Sequence, residues 1–293
     1  NGVVMKTGSA VTKIIARDNL ADRAILGSGE EIEADNFAIT TGGLSYPATG
    51  SSGDGYGWLR EMGHTVVSPR PALTPLITRK NFFSDLQGIS LPDIGVAAFG
   101  DGKKKYACRG SVLFTEDGLT GPAIIDLSKA IGDIFPGKAV LKINFFPDKD
   151  AGAMEEMFDG LFLAKKNKIL KNCLDGILPP RLSVFVIKTA GIDPAKRMSS
   201  VSREERKGLL RALNELPVII AGTAGFEKAM VTAGGVALNE VDPRTMRSKI
   251  VNNLFLAGEI LDLDGPTGGY NLQIAWSTGY AAGSSIKSSN IEI

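Results

Sequence analysis

At 293 residues, with 33 basic and 32 acidic side chains, the chain is too long for one small core and carries almost no net field. That balance argues against nucleic acid or an anionic membrane as partner. Cys108 and Cys173 stand far apart without CxxC spacing, and the chain has 1 histidine, so neither a disulfide framework nor a metal site is supported. No apolar run reaches the roughly 18 residues of a membrane span and no signal-peptide pattern opens the chain, so a reduced, cytoplasmic setting is expected.

In chain order, Val3 and Met5 read as a short strand, Ala10 to Ile15 as a second, and Ala24 to Leu26 as a third before the Gly27-Ser28-Gly29 turn. With Glu31 to Ala34 they make a small antiparallel meander. FAITTGG, residues 37 to 43, reads as a buried strand running into glycines. A helix over Tyr56 to Met62 follows, with Ser52 or Asp54 as its N-cap. His64, just after Gly63, reads as a surface residue. From Pro69 to Phe146, short apolar runs broken by Pro and Gly indicate a β module, interrupted by a helix at Pro122 to Ile131. Lys103, Lys104 and Lys105 read as a solvated hairpin tip. Residues 149 to 216 are helical in pattern, with Ser202 and Glu205 spaced as a capping box. PVIIAG and KAMVTAGGVAL then return to β character.

The last segment carries the chemistry. NLFLAGE, Asn253 to Glu259, has the apolar run of a buried parallel strand that ends in a glycine and a carboxylate. Ligands of open α/β sheets sit beyond such carboxyl ends. The Glu259 carboxylate would accept hydrogen bonds from sugar or ribityl hydroxyls, and Gly258 leaves room for approach. Gly265, Gly268 and Gly269 permit a tight loop before a helix from about Asn271 to Ile286, whose free N–H groups suit a phosphate or a carbonyl. Taken alone, the same stretch also reads as a glycine-rich turn with a surface acid.

Read together, four segments resemble a known family: Thr41 to Pro47, Gly53 to Gly55, Leu113 to Ala123, and the long run Gly234 to Gly279. They are similar to the BaiN-like (YhiN-like) NAD(P)/FAD-dependent oxidoreductases, two-dinucleotide-binding-domain flavoproteins. The resemblance implies an α/β chain with a split FAD-binding Rossmann-like domain (1–72 and 235–293). A small β-barrel-like domain (73–148 and 217–234) is inserted in it and itself carries a helical insert (149–216). It implies FAD as cofactor, NAD(P)H as electron donor and a small-molecule substrate. Glu259 would hold ribityl or ribose hydroxyls. Gly268, Gly269, Tyr270, Asn271 and Leu272 would set helix N–H groups at the phosphate or the pyrimidine edge. Thr41, Gly42 and Gly43 would pack along the cofactor, with Gly258 clearing the approach.

One family feature is missing. No GxGxxG with an acid about 20 residues downstream occurs in these 293 residues, so the pyrophosphate cradle is absent and the chain reads as part of a larger flavoprotein. An incomplete sheet leaves strand edges that a homodimer would cover. No catalytic acid or base is assigned; Tyr46, Glu116 and Thr120 are candidates by position only. The competing expectation is a flavin-less binding module that uses its β-barrel-like part.

Overall fold

A computed structural model of the chain describes residues 2–80, 82–134 and 138–286. The chain divides into two compact units, residues 1–72 with 225–293 and residues 73–224.

The first unit opens with an antiparallel meander of β1 (Val11–Arg17), β2 (Leu20–Leu26) and β3 (Glu31–Glu33). Ile14 and Leu26 point inward along it, as alternation demands. No strand forms at Val3 to Met5, which are exposed: the expected first strand has no neighbour to pair with. β4 (Phe37–Ile39) is shorter than the FAITTGG pattern, because the chain leaves the ladder at Thr40.

Helix α1 (Asp54–Glu61) begins two residues before the expected start. Its N-cap is Gly53 at φ 79°, not Ser52 or Asp54; the Ser52 hydroxyl instead meets the Asp54 carboxylate at 2.6 Å, outside the helix backbone. Tyr56 and Leu59 fall one turn apart and bury the same face. The chain leaves this unit along β5 (Val66–Ala72).

The second unit is built on a closed six-stranded antiparallel barrel. Its strands are β6 (Leu76–Thr78), β7 (Ser90–Gly100), β8 (Lys103–Phe114), β9 (Gly118–Thr120), β10 (Ala139–Asn144) and β11 (Leu216–Thr223), in the order β10-β11-β6-β9-β8-β7. Closure removes the free edges that an open sheet would expose. Period-two alternation decides which side chains fill it: Ala139, Leu141 and Ile143 of β10 and Leu216, Val218 and Ile220 of β11 are buried, while Ile219 is 69% exposed.

Helix α2 (Pro122–Ile134) starts at its proline, as expected, and buries Ile124, Leu127 and Ile131. Between β10 and β11 run α3 (Ala151–Lys165), α4 (Leu170–Cys173), α5 (Pro180–Thr189) and α6 (Arg203–Asn214). At α6 the capping box forms in full: Ser202 Oγ accepts from Glu205 N–H, and Glu205 accepts from Ser202 N–H at 2.7 Å. Met154, Phe158, Phe162, Leu182 and Leu209 share one continuous core with the barrel residues, so helices and barrel pack as one unit.

After Ala224 the chain rejoins the first unit. The sequence placed residues 225–234 with the barrel; here β12 (Val231–Val236) pairs antiparallel with β5, and that ladder moves the boundary upstream. β13 (Leu254–Leu256) then pairs in parallel with β4, setting Leu254, Phe255 and Leu256 opposite Phe37, Ala38 and Ile39. The 3₁₀ turn Gly258–Ile260 leads on to α7 (Tyr270–Ser285). Among the described residues, no helix is long and apolar enough to cross a membrane.

Candidate functional site

The parallel pair β4 and β13 carries its two following loops to one end, and there the expected residues meet. Thr41, Gly42 and Gly43 leave β4, and Gly258 and Glu259 leave β13. Glu259 Oε1 accepts the Thr232 N–H at 2.9 Å, while Oε2 has no hydrogen-bond partner among the described residues. A Cβ on Gly43 would lie 2.3 Å from Thr232 Oγ1 and 2.7 Å from Glu259 Oε1, so only glycine lets these loops approach so closely. Gly258 holds φ 78°, a left-handed conformation that turns the chain out of the strand, and its N–H donates to Thr278 Oγ1 of α7 at 2.9 Å.

Thr232 is the hub that the sequence reading passed over. Its hydroxyl oxygen accepts from Leu44 N–H at 2.8 Å and Ser45 N–H at 3.1 Å, and meets Ser45 Oγ at 3.0 Å. Thr232 is wholly buried, so each of these bonds replaces water that the group has lost. The available signal was a threonine directly before AGG in KAMVTAGGVAL, hidden by assigning that run to the barrel. Tyr56 is the second omission: its hydroxyl donates to the Glu259 carbonyl oxygen at 3.3 Å. Burial raises the Tyr56 pKa, and the Glu259 and Asp262 charges push it the same way, so Tyr56 stays a neutral donor. Burial also raises Glu259, partly offset by the Thr232 N–H, with Asp264 adding to the rise.

Gly268, Gly269, Tyr270, Asn271 and Leu272 form the start of α7. Its N-cap, Gly269 at φ 91°, offers no side-chain cap, so the first-turn N–H groups are not closed by a side chain. The Asn271 side chain is spent locally, accepting from Gly265 N–H and donating to the Gly265 carbonyl, both at 2.9 Å. Tyr270, Leu272, Trp276 and Tyr280 are 60 to 78% exposed. No hydrogen bond joins Gly268 to Leu272 with Glu259 among the described residues.

Of the positional candidates, Tyr46 is half-exposed and held at φ 50°, a strained conformation for a non-glycine residue, before a short 3₁₀ turn. Glu116 is exposed in the β8–β9 turn of the barrel, and Thr120 pairs with Leu113.

His64 corrects a sequence expectation. Its side chain is 0% exposed rather than on the surface. Nε2 lies 2.9 Å from Ser248 Oγ, and Nδ1 lies 3.2 Å from Glu240 Oε2. Ser248 Oγ already accepts from Ile250 N–H at 3.0 Å and Val251 N–H at 2.8 Å, so its proton points at Nε2. Nδ1–H then donates to Glu240, which also accepts Thr65 N–H at 2.8 Å. The row has the residue types of a hydrolytic triad. Its serine lone pairs are occupied and its imidazole is sealed, so it clamps the 240–251 loop onto the end of α1 and has no nucleophile to offer.

The chain belongs to the HI0933-like Rossmann domain family, whose model matches residues 1–285; these are the BaiN-like flavoprotein oxidoreductases. Among curated proteins, it is 32% identical over 261 residues to a 3-dehydro-bile acid delta(4,6)-reductase of Clostridium scindens, covering 88% of this chain and 64% of that protein. It is 34% identical over 257 residues to the ribosomal RNA dihydrouridine synthase of Escherichia coli, covering 87% and 61%. The enzyme of the same name in Haemophilus influenzae matches at 33% over 253 residues, covering 86% and 60%. The chain thus spans less than two thirds of the length of these relatives.

Proposed function

We propose that this chain forms the flavin-facing part of an FAD-dependent reductase that saturates a carbon–carbon double bond conjugated to a carbonyl. The observation that carries the reading is Glu259: one carboxylate oxygen is fixed by the Thr232 N–H and the other has no partner among the described residues, beside the side-chain-free Gly43. That oxygen is free to accept from a ligand hydroxyl. Thr41 and Gly42 would continue that wall along the cofactor, Gly258 would leave space, and the first-turn N–H groups of Gly269 to Leu272 would meet an electron-rich edge or a phosphate. When bound, FAD would carry a hydride from a nicotinamide donor to the acceptor carbon, and a proton would complete the saturated product.

The acceptor class rests on what the relatives' names share. A delta(4,6)-reductase of a 3-dehydro bile acid and a dihydrouridine synthase both describe saturation of a ring double bond in conjugation with a carbonyl. The net change would be one hydride and one proton added across C=C while the nicotinamide is oxidised.

Titration of FAD into the chain, followed by quenching of flavin fluorescence, tests this. The parent should bind saturably. Glu259→Ala should bind about 10- to 100-fold more weakly, the worth of one charge-assisted hydrogen bond of about 1.5 to 3 kcal/mol. Equal affinity in parent and variant would remove Glu259 from the cofactor site.

A further inference from the structure

The near-zero net charge hides two opposite fields. Residues 73–224 carry 22 basic and 17 acidic side chains, a net +5, whereas the rest of the chain carries 11 basic and 15 acidic, a net −4. The sequence-wide balance that argued against a nucleic-acid partner is an average over both. Within the basic unit the excess is concentrated: from Lys165 to Lys188 there are 6 basic residues and 1 acidic residue. A cavity of about 690 Å³ opens there, between α4, α5 and the segment before β7.

Three cations line the cavity: Lys171, Arg181 and Lys188. Arg181 is held in place by donating to the carbonyl oxygens of Asp85 at 3.1 Å and Gln87 at 3.2 Å, which leaves the rest of its guanidinium free to donate. Lys171 and Lys188 are exposed and have no side-chain partner among the described residues. The flank of helix α5, from Pro180 through Arg181, Val184 and Phe185 to Lys188, forms one side of the same space, so cations from both of its ends face one volume. One wall is Phe185, fixed edge-on against Phe82 with centroids 5.6 Å apart. Asp85 and Asp175 add carboxylate acceptors to the lining.

A site for a bare anion would gain nothing from those two carboxylates. A ribonucleotide strand uses every element: phosphates on the cations, 2′-hydroxyls on the carboxylates, a base against the aromatic wall. We infer that this cavity is a phosphodiester-binding site that anchors the backbone of an RNA strand. The inference rests on the reading of the substrate as a conjugated ring carbonyl, here a uracil carried in RNA, and it locates a contact surface in the unit that lacks Glu259.

Fluorescence anisotropy of a labelled single-stranded oligouridylate, titrated with the full chain over a range of salt, tests it. Lys171→Glu with Lys188→Glu should weaken binding at least tenfold and lower the magnitude of the log–log salt slope by about 1.4, the value for two lost phosphate contacts on a single strand. Lys171→Arg with Lys188→Arg should restore it. Lys103→Glu with Lys104→Glu makes the same charge change on β8 and should leave the affinity within about twofold. Equal loss in the β8 variant would mean a diffuse field rather than a site, and would overturn the inference, as would parental binding by the Lys171/Lys188 reversal. Displacement of the oligonucleotide by micromolar UMP or inorganic phosphate would assign the cavity to a free phosphorylated ligand and overturn it too. Thermal melting of each variant guards against misfolding. FAD titration of the same samples separates the two readings: flavin binding without RNA binding sinks this inference alone, and RNA binding without flavin binding sinks the reductase reading alone.

Discussion

Two buried polar residues of the first unit, His64 and Thr232, each make it sensitive to a small change at or beside them. Burial lowers the His64 pKa from 6.5, only partly opposed by Glu240, so the folded chain resists a proton that the unfolded chain accepts. The sign follows: stability is fully present above about pH 6.5 and is lost as pH falls below it. Glu240 extends the loss below its ordinary range. Burial pushes Glu240 up, but the Thr65 and His64 hydrogen bonds outweigh that and leave its pKa lowered. Melting temperature should therefore fall between pH 7.5 and 5.5 in the parent and stay nearly flat in His64→Gln. With 1 histidine in the chain, its single imidazole resonance reports the same titration, and a flat parental profile would refute the account. Gly43→Ala is the second case. Its Cβ would overlap Thr232 Oγ1 and crowd Glu259, at a cost of about 1 to 3 kcal/mol from overpacking. Calorimetric melting should show the drop, and FAD titration should show weaker binding. Unchanged melting would mean that the Thr232 hub gives way without cost.

At the scale of elements, helix α6 is closed at its N-terminus by its capping box. Ser202→Ala removes one side of a reciprocal pair and leaves Glu205 N–H without its acceptor; about 1 kcal/mol should be lost. Chemical denaturation monitored by circular dichroism would register it as a lower midpoint with an unchanged slope. This element was legible because a capping box is local: Ser202 and Glu205 sit three residues apart. The start of α2 at Pro122 was legible for the same reason. Helix α1 was placed less well, since Gly53, Ser52 and Asp54 are all acceptable caps and the choice depends on how the preceding loop leaves Gly43. The FAITTGG strand was overestimated because apolar character continues past Ile39, whereas pairing with β13 does not. Helix α7 was found, but nothing in its run of apolar residues foretold that Leu272, Trp276 and Tyr280 would stand exposed.

For the whole molecule, the opposite charges of the two units and the proposed flavin site set the expected behaviour. The chain contains no GxGxxG, so on the proposed reading Glu259 and the start of α7 would hold FAD without a pyrophosphate cradle from these residues. Lacking several hydrogen bonds of about 1 kcal/mol each, FAD bound in titration should be lost on gel filtration. Visible absorbance of the eluted chain measures this; a stoichiometric yellow complex would show that the present segments suffice. Family, mixed α/β class, the meander, the β module and the Glu259 loop were all readable, since each is a local pattern or a motif of fixed spacing. Tertiary structure alone decided the rest. Barrel closure and the transfer of β12 to β5 are pairings between residues far apart in sequence, on which periodicity is silent. Thr232 became the partner of Glu259, and His64 a sealed clamp, because burial forces each polar group to find a partner wherever the fold brings one. Composition names the groups that need satisfying; only the packed chain determines which of them satisfy one another.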